Sequence, residues 1–387
     1  MINRLKIWTD KHLQGDPVIW FVVVCLCIIS ILVVYSATGS LAYKQMGGNT
    51  EYYLIRHTIM VGLALLVMWI AHKVDYRYYS KITRYALFVS VPLLFYTWQW
   101  GTEVNDAKRW IELPFIGLQF QPSDLAKMAL IAGLASMLAK RQQNIANFKE
   151  SLIPMLAWCG AICGLIAMTN ISTAILLFLT CMLLLFIGRV PPKYLAMLVV
   201  VGVFVGVLAL SFGQRGGTAV SRVTDFISQD QVPYQAQQSY IAIATGGVLG
   251  KGPGKSDQRN FLPYPYSDFV YAIIIEEYGM FGGVFVLFLY LVLLYRGMRV
   301  MANSDRAFGG LLSAGLSFAI VIQALVNIGV VVGLMPVTGQ TLPLISMGGT
   351  SLLFTGLSLG IILSVSRGEQ EDFSPITGDL RNSAKTA

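Results

Sequence analysis

The stretch FLPYPYSDFVYAIIIEEYG, residues 261–279, decides how the chain is read. An apolar run begins directly after Ser267-Asp268, carries Glu276-Glu277 inside it, and continues as MFGGVFVLFLYLVLLY up to Arg296. A spanning helix needs about 20 mostly apolar residues. Residues 269–296 therefore read as a transmembrane helix with one carboxylate at its lip and two more below the rim. Carboxylates at membrane depth are costly and face a partner or a water-filled cavity. Glu276 lies ~12 Å below Asp268 and is rotated ~80° from it, whereas Glu277 is rotated about 180°. This places Glu276 on the same cavity as Asp268 and predicts that Glu277 pairs with a Lys or Arg of another helix. Asp268 has two compatible readings. Ser-Asp before a helix suits an N-cap, which stabilises the carboxylate. Partial dehydration would instead raise its pKa towards that of a useful base.

Working outward, the same apolar texture recurs along the chain. Of 387 residues, 55% are apolar and only 12% charged, with a mean hydropathy of +0.64. Soluble chains carry about a quarter charged residues. The reading is an all-α polytopic membrane protein with ten transmembrane helices, at about 18–37, 57–73, 82–101, 124–139, 152–169, 171–188, 194–212, 269–296, 308–334 and 342–366. The fifth and sixth runs nearly touch around Asn170, which predicts a tight hairpin. With the N-terminus inside, most of the 28 Lys and Arg fall in cytoplasmic segments, as the positive-inside rule requires. Both termini are then cytoplasmic. The net charge of +8 is accounted for in this way and does not point to nucleic acid. Residues 1–17 are polar and mixed, and the run after them lacks a small-residue cleavage site, so no signal peptide is read. The five cysteines all lie in apolar runs without metal or disulfide spacing, and three histidines are scattered.

This topology puts the longest connection, 213–268, on the outer face between the seventh and eighth helices. A loop of that length is usually functional. Its mixture of amphipathic stretches, glycines and charges predicts short interfacial helices. Residues 102–123 form a second outer loop, 18–366 the membrane domain, and 367–387 a polar tail expected to be disordered. Within the large loop, GGVLGKGPGKS (246–256) imitates a phosphate-binding P-loop, but the glycine that motif needs is Leu249. What remains is a flexible basic loop whose Lys251 and Lys255 suit a phosphate group. In KRWIEL…FQPSDLAKMA (108–129), Lys108, Arg109 and Trp110 sit at the outer interface, Ser123 and Asp124 are placed to cap the fourth helix, and Lys127 follows a turn later. Arg109-Trp110 also suits an interfacial anchor and Lys127 a snorkelling lysine. A basic and an acidic group at matching outer depth, Lys127 and Asp268, predict a polar cavity open to the exterior.

With these residues in place, the chain resembles the SEDS family (shape, elongation, division and sporulation), which includes FtsW, RodA and SpoVE. The resemblance spans nearly all the helices. It rests on VYSAT ending the first span, RW…FQPSDLAKMA, QSYIAIATGGVLGKGPGKSDQ, FLPYPYSDFVYAIIIEEYG, and NIGVVVGLMPVTGQTLPLISMGGTSLL (327–353). It implies a peptidoglycan glycosyltransferase of the bacterial cytoplasmic membrane, polymerising lipid II at the outer face for division or elongation. It further implies a class B penicillin-binding protein transpeptidase as partner, with other divisome or elongasome proteins around it. The family's essential aspartate falls on Asp268, as the base that deprotonates the acceptor GlcNAc 4-hydroxyl. Lys127, Arg109, Lys251 and Arg222 are its candidate pyrophosphate-binding cations, with Trp110, Gln121, Ser123 and Glu276 as further substrate-binding candidates. No cofactor is assigned. A divalent cation, Mg or Mn, bridging pyrophosphate and carboxylate is left open, because no ligand cluster here demands one. QRNFLPYPYSDF leans towards the FtsW branch over RodA.

The chain departs from the family pattern at three places. Tyr264 stands where an acidic residue follows FLP, Asn170 stands where an aspartate is usual, and Gln340 and Met347 replace the customary residues of the last signature. A different class of function, a flippase for lipid II or another polyprenyl-linked sugar, shares the need for intramembrane charge. It should carry charged groups along the whole crossing, and the inner halves of these spans are nearly free of them.

Overall fold

The computed structural model describes residues 13–39, 41, 50–103, 108–112, 119–145, 147–212, 216–228 and 232–383. Each apolar run of the sequence overlaps a helix, the last of them only from Thr350 and not from 342: α1 (Pro17–Ala37), α2 (Thr50–Lys73), α3 (Tyr76–Trp100), α4 (Pro122–Lys140), α5 (Ile153–Thr169), α6 (Ile171–Ile187) and α7 (Pro192–Phe212). Two shorter helices of the outer loop follow, α8 (Gly216–Ser228) and α9 (Tyr234–Gly246), then α10 (Val270–Asn303), α11 (Ala307–Val331) and α12 (Thr350–Ser383). Among the described residues six helices are both long and apolar enough to cross a membrane, while α6 and Pro192–Leu208 of α7 are apolar but shorter. The remaining two expected spans coincide with α3 and α4. Arg77, Lys81 and Arg84 in the one, and Asp124, Lys127 and Lys140 in the other, dilute their hydropathy.

The hairpin at Asn170 forms as the sequence suggests. One residue ends α5 and begins α6, and its carboxamide oxygen accepts the Thr173 amide at 3.2 Å. The 102–123 loop adds something the sequence did not announce, a small antiparallel sheet in the order β1 (Thr102–Glu103), β2 (Lys108–Glu112), β3 (Gln119–Phe120). α12 continues past Gly368 into the polar tail as far as Ser383. A helix already nucleated in a packed segment adds further turns at little cost per residue.

Packing is organised around α10 and α11, which lie against each other, with α12 on α2 and α3 on α4. α7 sits at the periphery on α5 and α6. At the end of the bundle opposite Asp268, Asp16 caps α1 through the Val18 amide (2.8 Å) and accepts Arg296 Nε of α10 at 2.7 Å. Because Asp16 is buried, that pair ties two helices rather than decorating a surface.

The feature that shapes the outer half is a break in α10. Gly279 has φ 70° and ψ −171°, so the helix stops hydrogen-bonding to itself there. The freed carbonyls of Glu276 and Glu277 accept the Lys251 and Gly252 amides at 2.9 Å each, and Met280 N donates to Gly247 O at 3.0 Å. A Cβ at residue 279 would lie 2.2 Å from Val248 O, so glycine is required by both conformation and space. The glycine-rich loop is thereby strapped onto the helix break, not flexible as its composition suggested. Asp268 stands at the far end of the short outer half-helix that this break creates.

Candidate active site

Asp268 does not cap α10. The helix starts at Val270, and the N-cap position belongs to Phe269, which makes no side-chain cap bond. The N-cap reading fails because the chain enters the helix through one more residue than Ser-Asp implied. The carboxylate instead accepts Ser267 Oγ–H at 2.9 Å and lies beside Gly339, where an added Cβ would stand 3.5 Å from Oδ2. Asp268 belongs to the outer connection, just ahead of the spanning helix. Burial pushes its carboxyl above the ordinary carboxylate range, opposed by the Ser267 hydrogen bond and by the charges of Arg109 and Arg222. The desolvation effect exceeds the others, which is the balance a base working near neutral pH needs.

The carboxylate opens onto a cavity of about 380 Å³ between α4, α6, α11, α12 and the outer loops. Five of the residues singled out in the sequence meet on its wall: Asp268, Lys127, Arg109, Trp110 and Gln121. Lys127 Nζ lies 2.8 Å from Asp124 Oδ1. The expected cap by Ser123 and Asp124 is corrected here. Gln121 holds the N-cap position of α4 with Pro122 at its first turn, which leaves Asp124 free to pair with Lys127 three residues on. Ser123 is buried behind the wall and accepts Gln121 Nε2–H at 2.9 Å, so it orients Gln121 and does not line the cavity. Arg222 also lies outside the lining, donating to Val337 O at 3.2 Å, yet is close enough to act on Asp268 through its charge.

Two expectations are overturned. Glu276 does not share the cavity, and Lys251 does not reach it. They bond to each other at 2.7 Å, with Lys251 also 2.9 Å from Asp257. Glu276 further accepts the Asp257 amide at 3.1 Å and the Ser256 hydroxyl. On a regular helix Glu276 would share the Asp268 cavity, but the loop docked at the Gly279 break covers that face. A fully buried carboxylate is tolerated there because every approach is a donor. Glu277, expected to pair with a basic residue of another helix, is bonded by the Ser36 hydroxyl of α1 and the Ser256 amide at 3.3 Å.

Of the other residues on the wall, Gln323 had no motif to mark it, and Gln340 was marked only as a departure from the family pattern. Gln323 of α11 donates to Thr341 O at 2.9 Å, and Gln340 Nε2 to Thr173 Oγ1 at 3.0 Å. Amide side chains inside an otherwise apolar span were the signal available, since a polar group at that depth needs a partner. The departures at Tyr264, Asn170, Gln340 and Met347 all lie on this same cavity wall. Along α6 the lining runs from Thr173 through Leu176 and Leu177 to Thr180, ~13 Å below the start of the helix, and Ile131, Leu316 and Ile320 face it from α4 and α11. The cavity is charged at its mouth and largely apolar at its floor, which suits an amphiphile with an anionic head. For a divalent cation the wall offers two carboxylates, Asp124 and Asp268, and among the described residues no group of three acidic, His or Cys side chains forms a metal site.

This architecture defines a polytopic helical membrane protein with a carboxylate and cations at one end of an intramembrane cavity. The family model described as "Cell cycle protein", FTSW_RODA_SPOVE, matches residues 16–371, and the chain belongs to that family. Among similar proteins, the Stage V sporulation protein E of Bacillus subtilis is 32% identical, covering 93% of this chain and 99% of that protein. The "Probable peptidoglycan glycosyltransferase FtsW" of Geobacter metallireducens is 32% identical over 91% of this chain and 94% of its own length. Among solved structures, one described as "Structural coordination of polymerization and crosslinking by a peptidoglycan synthase complex" superposes with a TM-score of 0.71 at 26% identity, covering 92% of this chain and 98% of that one. The Thermus thermophilus rod shape determining protein RodA superposes with a TM-score of 0.66 at 25% identity, covering 92% and 97%.

Proposed function

We propose that the protein is a peptidoglycan glycosyltransferase that polymerises lipid II at the outer face of the bacterial cytoplasmic membrane, with Asp268 as general base. The observation that carries the reading is the shared cavity wall of Asp268, Lys127 and Arg109 above an apolar floor. The names of the relatives and the synthase-complex neighbour support the same chemistry. In this reaction Asp268 takes the proton of the acceptor GlcNAc 4-hydroxyl as that oxygen attacks the donor's anomeric carbon. The anomeric carbon–pyrophosphate bond breaks, the electron pair leaves on the diphosphate, and the configuration inverts from α to β. The leaving group is already activated, so the second carboxylic acid that glycosidases use is unnecessary. Lys127 and Arg109 meet the departing charge, where preorganised cations in a dehydrated site stabilise a transition state most.

The protein works with a class B penicillin-binding protein transpeptidase in this reading, and the ten-helix domain of 18–366 keeps both termini in the cytoplasm. Septal synthesis, as for FtsW, fits the sequence of the 258–269 segment better than side-wall elongation. The test is reconstitution of the purified protein and its transpeptidase with lipid II. Glycan strands longer than a disaccharide dimer are expected. Protein-dependent translocation of labelled lipid II across the vesicle membrane, with no strand formed, would overturn the reading in favour of a flippase.

A further inference from the structure

Asp268 is held by its backbone as well as by its surroundings, and one buried side chain does most to fix where it stands. Asn327 lies one turn from the outer end of α11, 2% exposed. Its carboxamide nitrogen donates to Asp268 O and to Gln340 O, each at 2.7 Å. The two acceptors belong to different loops. One ends the outer connection into α10, and the other is the segment whose Gly339, at φ 65°, lies against the Asp268 carboxylate. We propose that Asn327 is a positioning residue for the glycosyl transfer, setting the distance between the Asp268 carboxylate and the 339–341 wall of the cavity.

The geometry makes this specific. Asp268 O lies ahead of the first helical residue, and the bond given to it is the one from Asn327, not from the helix backbone. The peptide plane that follows the Asp268 Cα therefore takes its orientation from α11, while the plane before it is held by Ser346. The neighbouring contacts hold other atoms: Ser346 Oγ donates to Ser267 O at 2.6 Å, and Met347 N donates to Tyr266 O at 2.8 Å. Gln323, one turn deeper on the same face, holds Thr341 O but does not reach the aspartate. Among the described residues, Asn327 joins the Asp268 carbonyl to the Gln340 carbonyl through a single atom. A carboxamide is the side chain required, because one NH₂ group supplies two donors at fixed angle to two carbonyls. The Asn327 side chain does not line the cavity, so it acts through Asp268 and never on the substrate.

The proposal rests on the glycosyltransferase reading, and its test separates the two. Asn327→Leu keeps the volume and removes both donors. Asn327→Ser opens room for a bridging water, which satisfies buried polar groups nearly as well as a direct bond. In single-turnover polymerisation of lipid II, with wild type and Asp268→Asn in parallel, the Leu variant is expected to lose about 10²-fold in kcat, as for a misplacement of the order of 1 Å. KM for lipid II should stay within about twofold, because the binding wall is intact. The Ser variant should recover part of kcat. A folded Leu variant with wild-type kcat, a loss confined to KM, or failure of both variants to fold would overturn the assignment. If wild type makes no glycan, or Asp268→Asn makes as much as wild type, the functional reading itself is at fault.

Discussion

Asp268→Asn is expected to abolish polymerisation of lipid II while leaving the protein folded and bound to its transpeptidase. Asparagine fills the same volume and can still accept the Ser267 hydroxyl, which now lies 2.9 Å from Asp268 Oδ1. What it cannot do is take a proton. General-base catalysis contributes about 10²–10⁴-fold, so the residual rate should sit at or below the detection limit of a gel assay. The variant should be no less stable than wild type, and the sign of the pKa shift says why. Burial holds the folded Asp268 carboxyl above its ordinary value, so its contribution to stability is favourable at low pH and lost as pH rises through the folded pKa. At neutral pH the wild type carries the cost of an ionised, partly dehydrated group, and the amide removes that cost. Thermal unfolding in detergent and co-purification with the partner check this half, and a strand-length assay the other. Full polymerase activity in this variant would refute the base assignment.

The second large effect concerns Lys127. Its ammonium is 2.8 Å from Asp124 Oδ1, and Asp124 is 6% exposed with Oδ2 unbonded. Lys127→Met therefore does two things at once. It strands a buried carboxylate, which costs on the order of 3 kcal/mol when one partner of a buried pair is deleted. It also removes a cation from the cavity wall, worth about 10²-fold in rate if that cation meets the leaving diphosphate. The double variant Asp124→Asn with Lys127→Met separates the two effects. Neutralising the stranded carboxylate should return the unfolding temperature close to wild type and leave the rate depressed. Recovery of the rate along with stability would make the pair structural and move pyrophosphate binding to Arg109.

Much of the fold was legible because membrane helices announce themselves. A run such as 171–187, mostly apolar and bounded by Asn170 and Gly188, has one way to satisfy its backbone in lipid. Asp268, Lys127, Arg109, Trp110 and Gln121 were legible for a related reason, since polar groups at the rim of such runs need a polar cavity. The failures share one cause. Glu276 was judged on a bare helix and Lys251 on a flexible loop, whereas the loop docks at the Gly279 break and joins the two. The signal was present in EEYGMFGG, but a glycine in a helical pattern is compatible with a continuous helix. Only the docked 246–260 loop, a contact between segments far apart in sequence, distinguishes the cases. Asn327 was hidden likewise, because its two partners come from loops 59 and 13 residues away. The Asp268 cap failed by a smaller margin, a shift of one or two residues at a helix start.

The pH dependence of single-turnover polymerisation, measured for wild type and for Arg222→Ala, tests most directly whether Asp268 is the base. Arg222 bonds to Val337 O and acts on Asp268 only through its charge, holding the carboxyl down against the effect of burial. Wild type should lose activity as pH falls through a single ionisation lying above the usual carboxylate value of about 4. The Arg222→Ala protein should show the same limb moved to higher pH, because an opposing positive charge has been removed. An acid limb that is absent, or that stays in place when Arg222 is gone, would contradict a mechanism in which the Asp268 carboxylate accepts the acceptor's proton.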